Sequence, residues 1–386
     1  MHRRQFLITT AGVLSARAAG SGLGTIAYVQ EDGLWTRDLP AGAPKQAVEG
    51  AKLSAPRFSP SGKWIAYTQS GAVQVVSLRE GGPVALGTAP RAQWAPDDEL
   101  LVEAAGDLKL FSASNGFRQP VRTIRGASLP ALFSGPSMVY GSRSTLVWDQ
   151  SGNGSRVVLS KEGSGLIPAA WAGKIILYWE DLDFSASIMA DGLALFRISV
   201  GGGSPSPIDL GSLVYEDSVA LSPDGNRLAI SAGNGRYHWA DKRIAIVDLK
   251  SGQISYLTGT DIAAVFPAWS PDGAKIAYCA APSPAGSEQI GGGEPAKRLL
   301  AQRRIFVGRR QITSDARYRD EKPLWSADGS HILFTRIDDQ SRLTVWLTEV
   351  VNPSPTQVAG PLPGSEYAWF GYYGYVDWRA LLDWYR

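Results

Sequence analysis

Pro267-Ala-Trp-Ser-Pro-Asp-Gly-Ala-Lys-Ile-Ala-Tyr278 is the stretch on which the fold turns. Its centre, Ser-Pro-Asp-Gly, combines a fixed φ at Pro, a turn-forming Asp and a Gly able to take φ > 0, which together close a tight hairpin. A β-rich apolar run follows, so the stretch reads as strand, turn and strand. The pattern recurs as Val219-Ala-Leu-Ser-Pro-Asp-Gly-Asn-Arg-Leu-Ala-Ile230 and Pro323-Leu-Trp-Ser-Ala-Asp-Gly-Ser-His-Ile-Leu-Phe334. Pro56-Arg-Phe-Ser-Pro-Ser-Gly-Lys-Trp-Ile-Ala-Tyr67 keeps everything except the Asp, and Gln93-Trp-Ala-Pro-Asp-Asp-Glu-Leu-Leu-Val102 is a degraded fifth copy. Two more copies, Leu132 to Tyr140 and Ala170 to Tyr178, keep only spacing and apolar character.

After the turn come a second apolar run, such as Arg243-Ile-Ala-Ile-Val-Asp-Leu249, and a last strand, such as Gln253-Ile-Ser-Tyr-Leu-Thr258. Four antiparallel strands repeating every ~36 to 56 residues are the sequence signature of β-propeller blades. In these motifs the chain resembles the TolB-type periplasmic propeller repeat, over most of residues 24 to 366. The resemblance implies an all-β fold of four-stranded blades. TolB itself carries an additional N-terminal α/β domain and six blades; here only a few residues separate the N-terminal segment 1–20 from the first strand, so that domain is expected to be absent and the resemblance does not bring TolB's own role with it whole. Gly24-Thr-Ile-Ala-Tyr-Val29 and Leu34-Trp-Thr-Arg-Asp-Leu39 read as the second and third strands of a blade that lacks its first. Tyr367-Ala-Trp-Phe-Gly-Tyr-Tyr-Gly-Tyr-Val-Asp-Trp378 is expected to supply it, so that both chain ends share one blade and no edge stays open. Seven internal repeats and this composite give eight blades, with seven as the alternative. The propeller is expected over 24–378, followed by a short aromatic tail, 379–386, in which Leu381-Leu382 suggests a terminal helix.

Composition agrees. Of 386 residues 44% are hydrophobic and only 19% charged, enough for a full core, and 43 Gly, 24 Pro and 13 Trp suit many short strands better than helices. A formal net charge of +2 gives no global reason to expect binding to nucleic acid. The run Lys297 to Arg310, with six basic residues and no acidic one, reads as blade strands with a solvated basic face. At the N-terminus, Arg3-Arg4-Gln5-Phe6-Leu7, an apolar stretch to Leu14 and Ala16-Arg17-Ala18 resemble a twin-arginine export signal over 1–20. The chain is therefore expected to be exported, to the periplasm or another extracytoplasmic space. No apolar run approaches the ~20 residues of a transmembrane helix.

Catalytic motifs are sparse. The chain has no G-x-S-x-G, P-loop, G-x-G-x-x-G, H-E-x-x-H or C-x-x-C. The repeat also resembles that of the oligogalacturonate lyases, whose metal is held by several histidines; His238 and His331 cannot supply such a set. No cofactor is expected, with an all-oxygen calcium or magnesium site built from Asp and Glu as the open alternative. Asp224, Asp272 and Asp328 are expected to cap their own hairpins, Trp269 and Trp325 to pack between blades, and Cys279 to be a buried, inert thiol.

Departures from the repeat carry the functional expectation, since loops vary on a repeating scaffold. Three blades carry extensions: Asp181 to Asp191, Gly233 to Lys242 and Ala281 to Ala296. The second contains Arg236-Tyr237-His238-Trp239, an aromatic and basic cluster of hot-spot composition expected to be exposed. Tyr215-Glu216-Asp217 and Tyr318-Arg319-Asp320-Glu321 are expected nearby, in connections between blades. These eleven residues are the candidate binding set of a non-catalytic scaffold for a protein partner. The alternatives are a carboxylate-based hydrolase or lyase and a carbohydrate-binding propeller, each acting at the channel mouth.

Overall fold

The structure is a computed structural model that describes residues 22–79, 81–89, 91–150, 153–182, 192–364 and 373–386. The described residues form antiparallel sheets: six of four strands and one of eight. In the eight-stranded sheet one four-strand run ends at Ser206–Ser212 and the next occupies Val219–Leu221, Arg227–Ala232, Arg243–Asp248 and Ile254–Tyr256. The runs meet only at the pair Ser212 and Ala232. Apart from the sheet that joins the two chain ends, the strands run as meanders whose first hairpin carries a copy of the repeat, and the weak copies also form hairpins, Ser128–Ser134 with Ser137–Ser142 and Ser164–Ala172 with Ile175–Leu182. The fold is a β-propeller.

The motif explains the local geometry in detail. In each turn the Asp accepts from its own neighbours: Asp272 Oδ1 takes the Ser270 hydroxyl and the Ala274 amide (3.0 Å), while Ser270 Oγ accepts the Lys275 amide (2.9 Å). Asp224 and Asp328 repeat this arrangement. The Ser hydroxyls hold Asp224 and Asp272 below the usual carboxylate range. Gly273 follows at φ +69°, the left-handed conformation the turn needs. The motif tryptophans tie neighbouring first strands together: Trp94 donates to the Arg57 carbonyl, Trp269 to Ala220 and Trp325 to Ala268, at 2.9 to 3.0 Å.

The Pro that opens each motif has a further effect. Lacking an N–H, it cannot enter the ladder, and the first strands bulge there, between Ser54 and Arg57, Val265 and Ala268, and Glu321 and Leu324. The residue before each Pro takes positive φ: Ala55 (+52°), Phe266 (+60°) and Lys322 (+51°). Large side chains rarely adopt this conformation.

The chain divides into two compact units, residues 1–176 with 198–204 and 379–386, and residues 177–197 with 205–378. In the first, the composite sheet orders Lys45–Glu49, Gly33–Asp38, Thr25–Gln30 and Leu382–Tyr385. The two chain ends thus share a sheet as expected, but the closing strand is not the one expected. Tyr367 to Tyr372 lie outside the described residues, Trp378–Ala380 is a 3-10 turn, and the residues read as a tail with a short helix form the strand. The alternation Leu382-Asp-Trp-Tyr385 is the reason: Leu382 and Trp384 are buried, Asp383 accepts the Phe58 amide (2.8 Å), and the Tyr385 hydroxyl donates to the Ser61 carbonyl (3.1 Å). A core of Ala27, Val29, Leu34, Phe58, Ile65 and Tyr67 lies beneath them.

In the second unit, Val265, Ala277, Cys279, Ile305, Trp325 and Phe334 form one core and Ala229, Ile244, Ala264 and Tyr278 another. Cys279 is buried, and burial pushes its thiol up to about 12, the inert state expected. The run 297–310 departs from expectation. It begins in a helix, α1 (Gly293–Leu300), before the strand Arg304–Val307. Ala296 and Leu300 are its buried positions, at the i, i+4 spacing of one helical face, while Lys297 and Arg298 place positive charge in the last turn and Lys297 Nζ donates to Glu294 Oε1 (3.0 Å).

Candidate functional site

The second and third extensions belong to the second unit, and they fold onto each other instead of projecting into solvent. The loop from Gly233 to Lys242 is closed on itself. Lys242, 1% exposed, donates from Nζ to the carbonyls of Asn234 (3.0 Å), Gly235 (2.9 Å) and Ala240 (3.4 Å). Its burial pushes the ammonium down to about 8. Gly233 sits at φ +136°, and a Cβ there would strike the Asp241 carbonyl, so the loop can start only with glycine. Trp239 and Ala240 then pack on Ala296 and Leu300 of α1, with Tyr237, Ile290, Leu299 and Tyr373 around them. The 181–191 extension lies outside the described residues except for Asp181 and Leu182.

This packing corrects the expected hot spot. Trp239 is fully buried and His238 is 2% exposed, because the loop is held down by a core of its own; only Arg236 and Tyr237 are half-exposed. Arg319, Asp320 and Glu321 are likewise not in a surface connection. They begin the strand Tyr318–Trp325 and are fully buried. Glu321 is the hub: Oε1 accepts from Arg303 and from Arg319 Nε (2.6 Å), and Oε2 accepts the Trp378 indole N–H (2.8 Å). Burial would raise this carboxyl, but Arg319, Arg303 and Trp378 outweigh it and hold Glu321 below its ordinary value. Arg303 also donates to the His238 carbonyl (2.7 Å), and Arg319 to that of Gly374 (2.6 Å). Asp320 is ion-paired with Arg336 (2.8 Å), yet burial outweighs Arg336 and the more distant Arg304 and leaves its carboxyl raised. These charges tie the extension loop and residues 374–378 to the blade.

Beside this frame lies a second cluster, polar inside and aromatic outside. Glu216–Ser218 is a 3-10 turn that leaves Glu216 exposed and buries Asp217. Asp217 Oδ2 accepts from Lys322 Nζ at 2.8 Å, the pair being 5% and 14% exposed at their side chains. Lys322 also lies 5.8 Å from the centre of the Phe266 ring. Around the His238 ring stand Tyr375 (5.4 Å), Tyr215 (5.6 Å) and Phe266 (6.0 Å), with Tyr215 stacked on Tyr375 at 3.8 Å. Burial, and then Arg303, Lys242 and Arg319, drive the His238 pKa well below the ordinary histidine value, so the ring is neutral.

Of the eleven expected residues, Tyr215, Asp217 and His238 meet in this cluster. Arg319 and Glu321 belong to the frame, Arg236, Tyr237 and Trp239 to the extension cap, Tyr318 and Asp320 surround Arg336, and Glu216 is exposed in the 3-10 turn next to Asp217. Sequence reasoning missed Phe266, Lys322, Arg303 and Tyr375. For Phe266 and Lys322 a signal was present, since each precedes the Pro of a motif. Among the described residues no group of three or more His, Cys, Asp or Glu is placed to hold a metal ion, and no helix is long and apolar enough to cross a membrane.

The fold has relatives of known structure. A eukaryotic initiation factor matches with a TM-score of 0.56 and 13% identity, over 88% of this chain and 87% of the other. Dihydro-heme d1 dehydrogenase NirN, solved in complex with DHE, matches with a TM-score of 0.62 and 14% identity, over 91% and 77%. TolB from Acinetobacter baumannii matches at 15% identity over 86% and 65%, with a TM-score of 0.36 that bears no argument. Likeness at these identities is of fold alone. No family model and no curated protein matches the chain.

Proposed function

We propose that the chain is an exported, eight-bladed propeller that acts without catalysis, as a scaffold binding a protein partner on the face that carries the 181–191, 233–242 and 281–296 extensions. The observation that carries this reading is the separate core of the extension cap, Trp239 and Ala240 against Ala296 and Leu300. A tolerated surface insertion needs no core; a surface that must keep one shape does. Export is supported by Arg3-Arg4-Gln5-Phe6-Leu7, and eight blades by the two four-strand runs within the eight-stranded sheet. Absence of catalysis is supported by the engagement of the carboxylates singled out above: Glu321 and Asp320 with arginines, and Asp224, Asp272 and Asp328 within their own turns.

The test uses the outward charges of the cap, Glu288, Glu294 and Arg298, all exposed. Alanines at Tyr237, His238 and Trp239 would instead collapse the cap. A tagged chain is recovered from the envelope fraction of its host, and co-purifying proteins are compared between wild type and the triple charge reversal Glu288→Lys, Glu294→Lys, Arg298→Glu. Surface reversals of this kind change stability by no more than ~0.5 kcal/mol each. Loss of a specific partner at unchanged Tm is the expected result. A partner retained by the reversed variant, or none in wild type, overturns the reading.

A further inference from the structure

The cluster of Tyr215, Asp217, His238, Phe266, Lys322 and Tyr375 has polar capacity that the protein itself does not use. His238 is 2% exposed, and neither Nδ1 nor Nε2 has a hydrogen-bond partner. Asp217 is 8% exposed, and its Oδ1 has none, although Oδ2 is held by Lys322. Buried polar atoms are paired in the great majority of cases, and leaving one unpaired costs about 1–3 kcal/mol. Three such atoms in one cluster, beside two bulky residues held at positive φ, form a concentration of cost that packing alone does not require.

The kind of group that would satisfy them follows from the inventory. The neutral His238 ring offers one N–H donor and one lone pair, whichever tautomer it takes. Asp217 Oδ1 offers an acceptor, and the Lys322 ammonium has hydrogens beyond the one it directs at Asp217. Donors and acceptors therefore alternate. A carboxylate or phosphate, having only acceptors, would face Asp217 Oδ1 and the histidine lone pair with lone pairs of its own. An ammonium, having only donors, would face Lys322 and the histidine N–H. A hydroxyl both donates and accepts, and vicinal hydroxyls present these functions at the spacing of a polar cluster. The paired charges of Lys322 and Asp217 cancel, and Phe266, Tyr215 and Tyr375 make the surround aromatic, suited to C–H faces.

We propose that these residues form a binding site for a neutral sugar, a pyranose whose adjacent hydroxyls bridge Asp217, His238 and Lys322. The site shares His238 with the 233–242 loop but none of the outward charges Glu288, Glu294 and Arg298 on which the protein-binding test rests, so either reading can fail without the other.

Isothermal titration with maltotriose, cellotriose and mannotriose as probes, and trigalacturonate as the acidic comparison, tests it on the full chain. Saturable binding of at least one neutral trisaccharide, tighter than trigalacturonate, is expected. His238→Phe keeps a flat ring among the aromatic neighbours and deletes both unpartnered nitrogens. It should weaken that binding by about tenfold or more while leaving Tm equal or higher, because an unsatisfied buried group is removed. Asp217→Asn, read in the same titration, should also weaken it. The proposal is overturned if no neutral probe binds, if trigalacturonate binds at least as tightly, if His238→Phe binds like wild type, or if His238→Phe lowers Tm. The last outcome would mean that the ring nitrogens serve the fold.

Discussion

Two ends of one blade carry the same chemical group and use it in opposite ways. At the turn end of the sheet Tyr318–Trp325, His331–Asp338, Leu343–Glu349 and Thr356–Leu362, Asp328 is exposed and bonds only to Ser326 and Ser330, two residues away on either side. At the other end Asp320 and Glu321 are fully buried, and the partners of Glu321 come from Arg303, Arg319 and Trp378. Position along the meander, and not residue type, decides whether a carboxylate caps a turn or anchors a frame. The first use stabilises a hairpin that is already formed by local preference. The second binds segments that only the tertiary structure brings together.

The contrast can be broken by substitution, and the largest effect belongs to the buried end. Glu321→Gln keeps the volume but leaves Arg303 and Arg319 without their anion, and should cost about 3–5 kcal/mol, read as a lowered urea midpoint. Next comes a pH effect. The His238 pKa is depressed in the folded state, so the unfolded chain takes up the proton first. The stability contributed by the neutral ring is present above ~6.5, the unfolded value, and is lost as pH falls below it. Between pH 6.5 and 5, wild type should lose up to about 1.4 kcal/mol per pH unit relative to His238→Phe, measured by denaturation of both at each pH. Equal slopes would show that the ring charges within the folded protein.

A smaller effect sharpens the comparison within the first unit, where one turn lacks its Asp. Ser61 stands in that place, and Asp98 of the next blade serves it instead, accepting the Ser61 amide (2.9 Å) and hydroxyl. Ser61→Asp would restore the repeat consensus yet set a second carboxylate against Asp98. It should lower stability at pH 7 by roughly 1–2 kcal/mol, where the repeat alone argues for a gain. Least of all, Asp328→Ala should cost under about 1 kcal/mol, because its bonds are solvent-screened.

The same contrast explains what could be read from sequence. Turn, strand and blade were legible because their causes lie within a few residues: the Pro, Asp and Gly of Ser270 to Gly273 act on each other directly. The pairing of Thr25–Gln30 with a C-terminal strand followed from closure, but its identity did not, because Tyr367 to Trp378 and Leu382 to Tyr385 are both aromatic and only burial selects between them. Hot-spot composition at Arg236 to Trp239 was misleading, since the residues that make a good interface also make a good small core. Glu321 could not be paired with Arg303 and Trp378 from sequence, as no spacing rule joins residues 18 and 57 positions away. Lys322 and Phe266 were legible in part: the bulge follows from the motif Pro, whereas the neighbours of their side chains do not.

The strand Leu382–Tyr385 also governs how the protein is made. Trp384 reaches Leu23 across 361 residues of sequence, and the edge of Thr25–Gln30 stays open until that strand arrives. On the ribosome the first unit therefore remains incomplete throughout synthesis of residues 205–378, which belong to the other unit. A chain terminated anywhere before Leu382 displays an unpaired strand edge, the kind of surface that chaperones and proteases recognise. Closure of the composite sheet is thus tied to the arrival of Leu382–Tyr385, and the exposure of a single edge separates chains that contain this strand from chains that lack it.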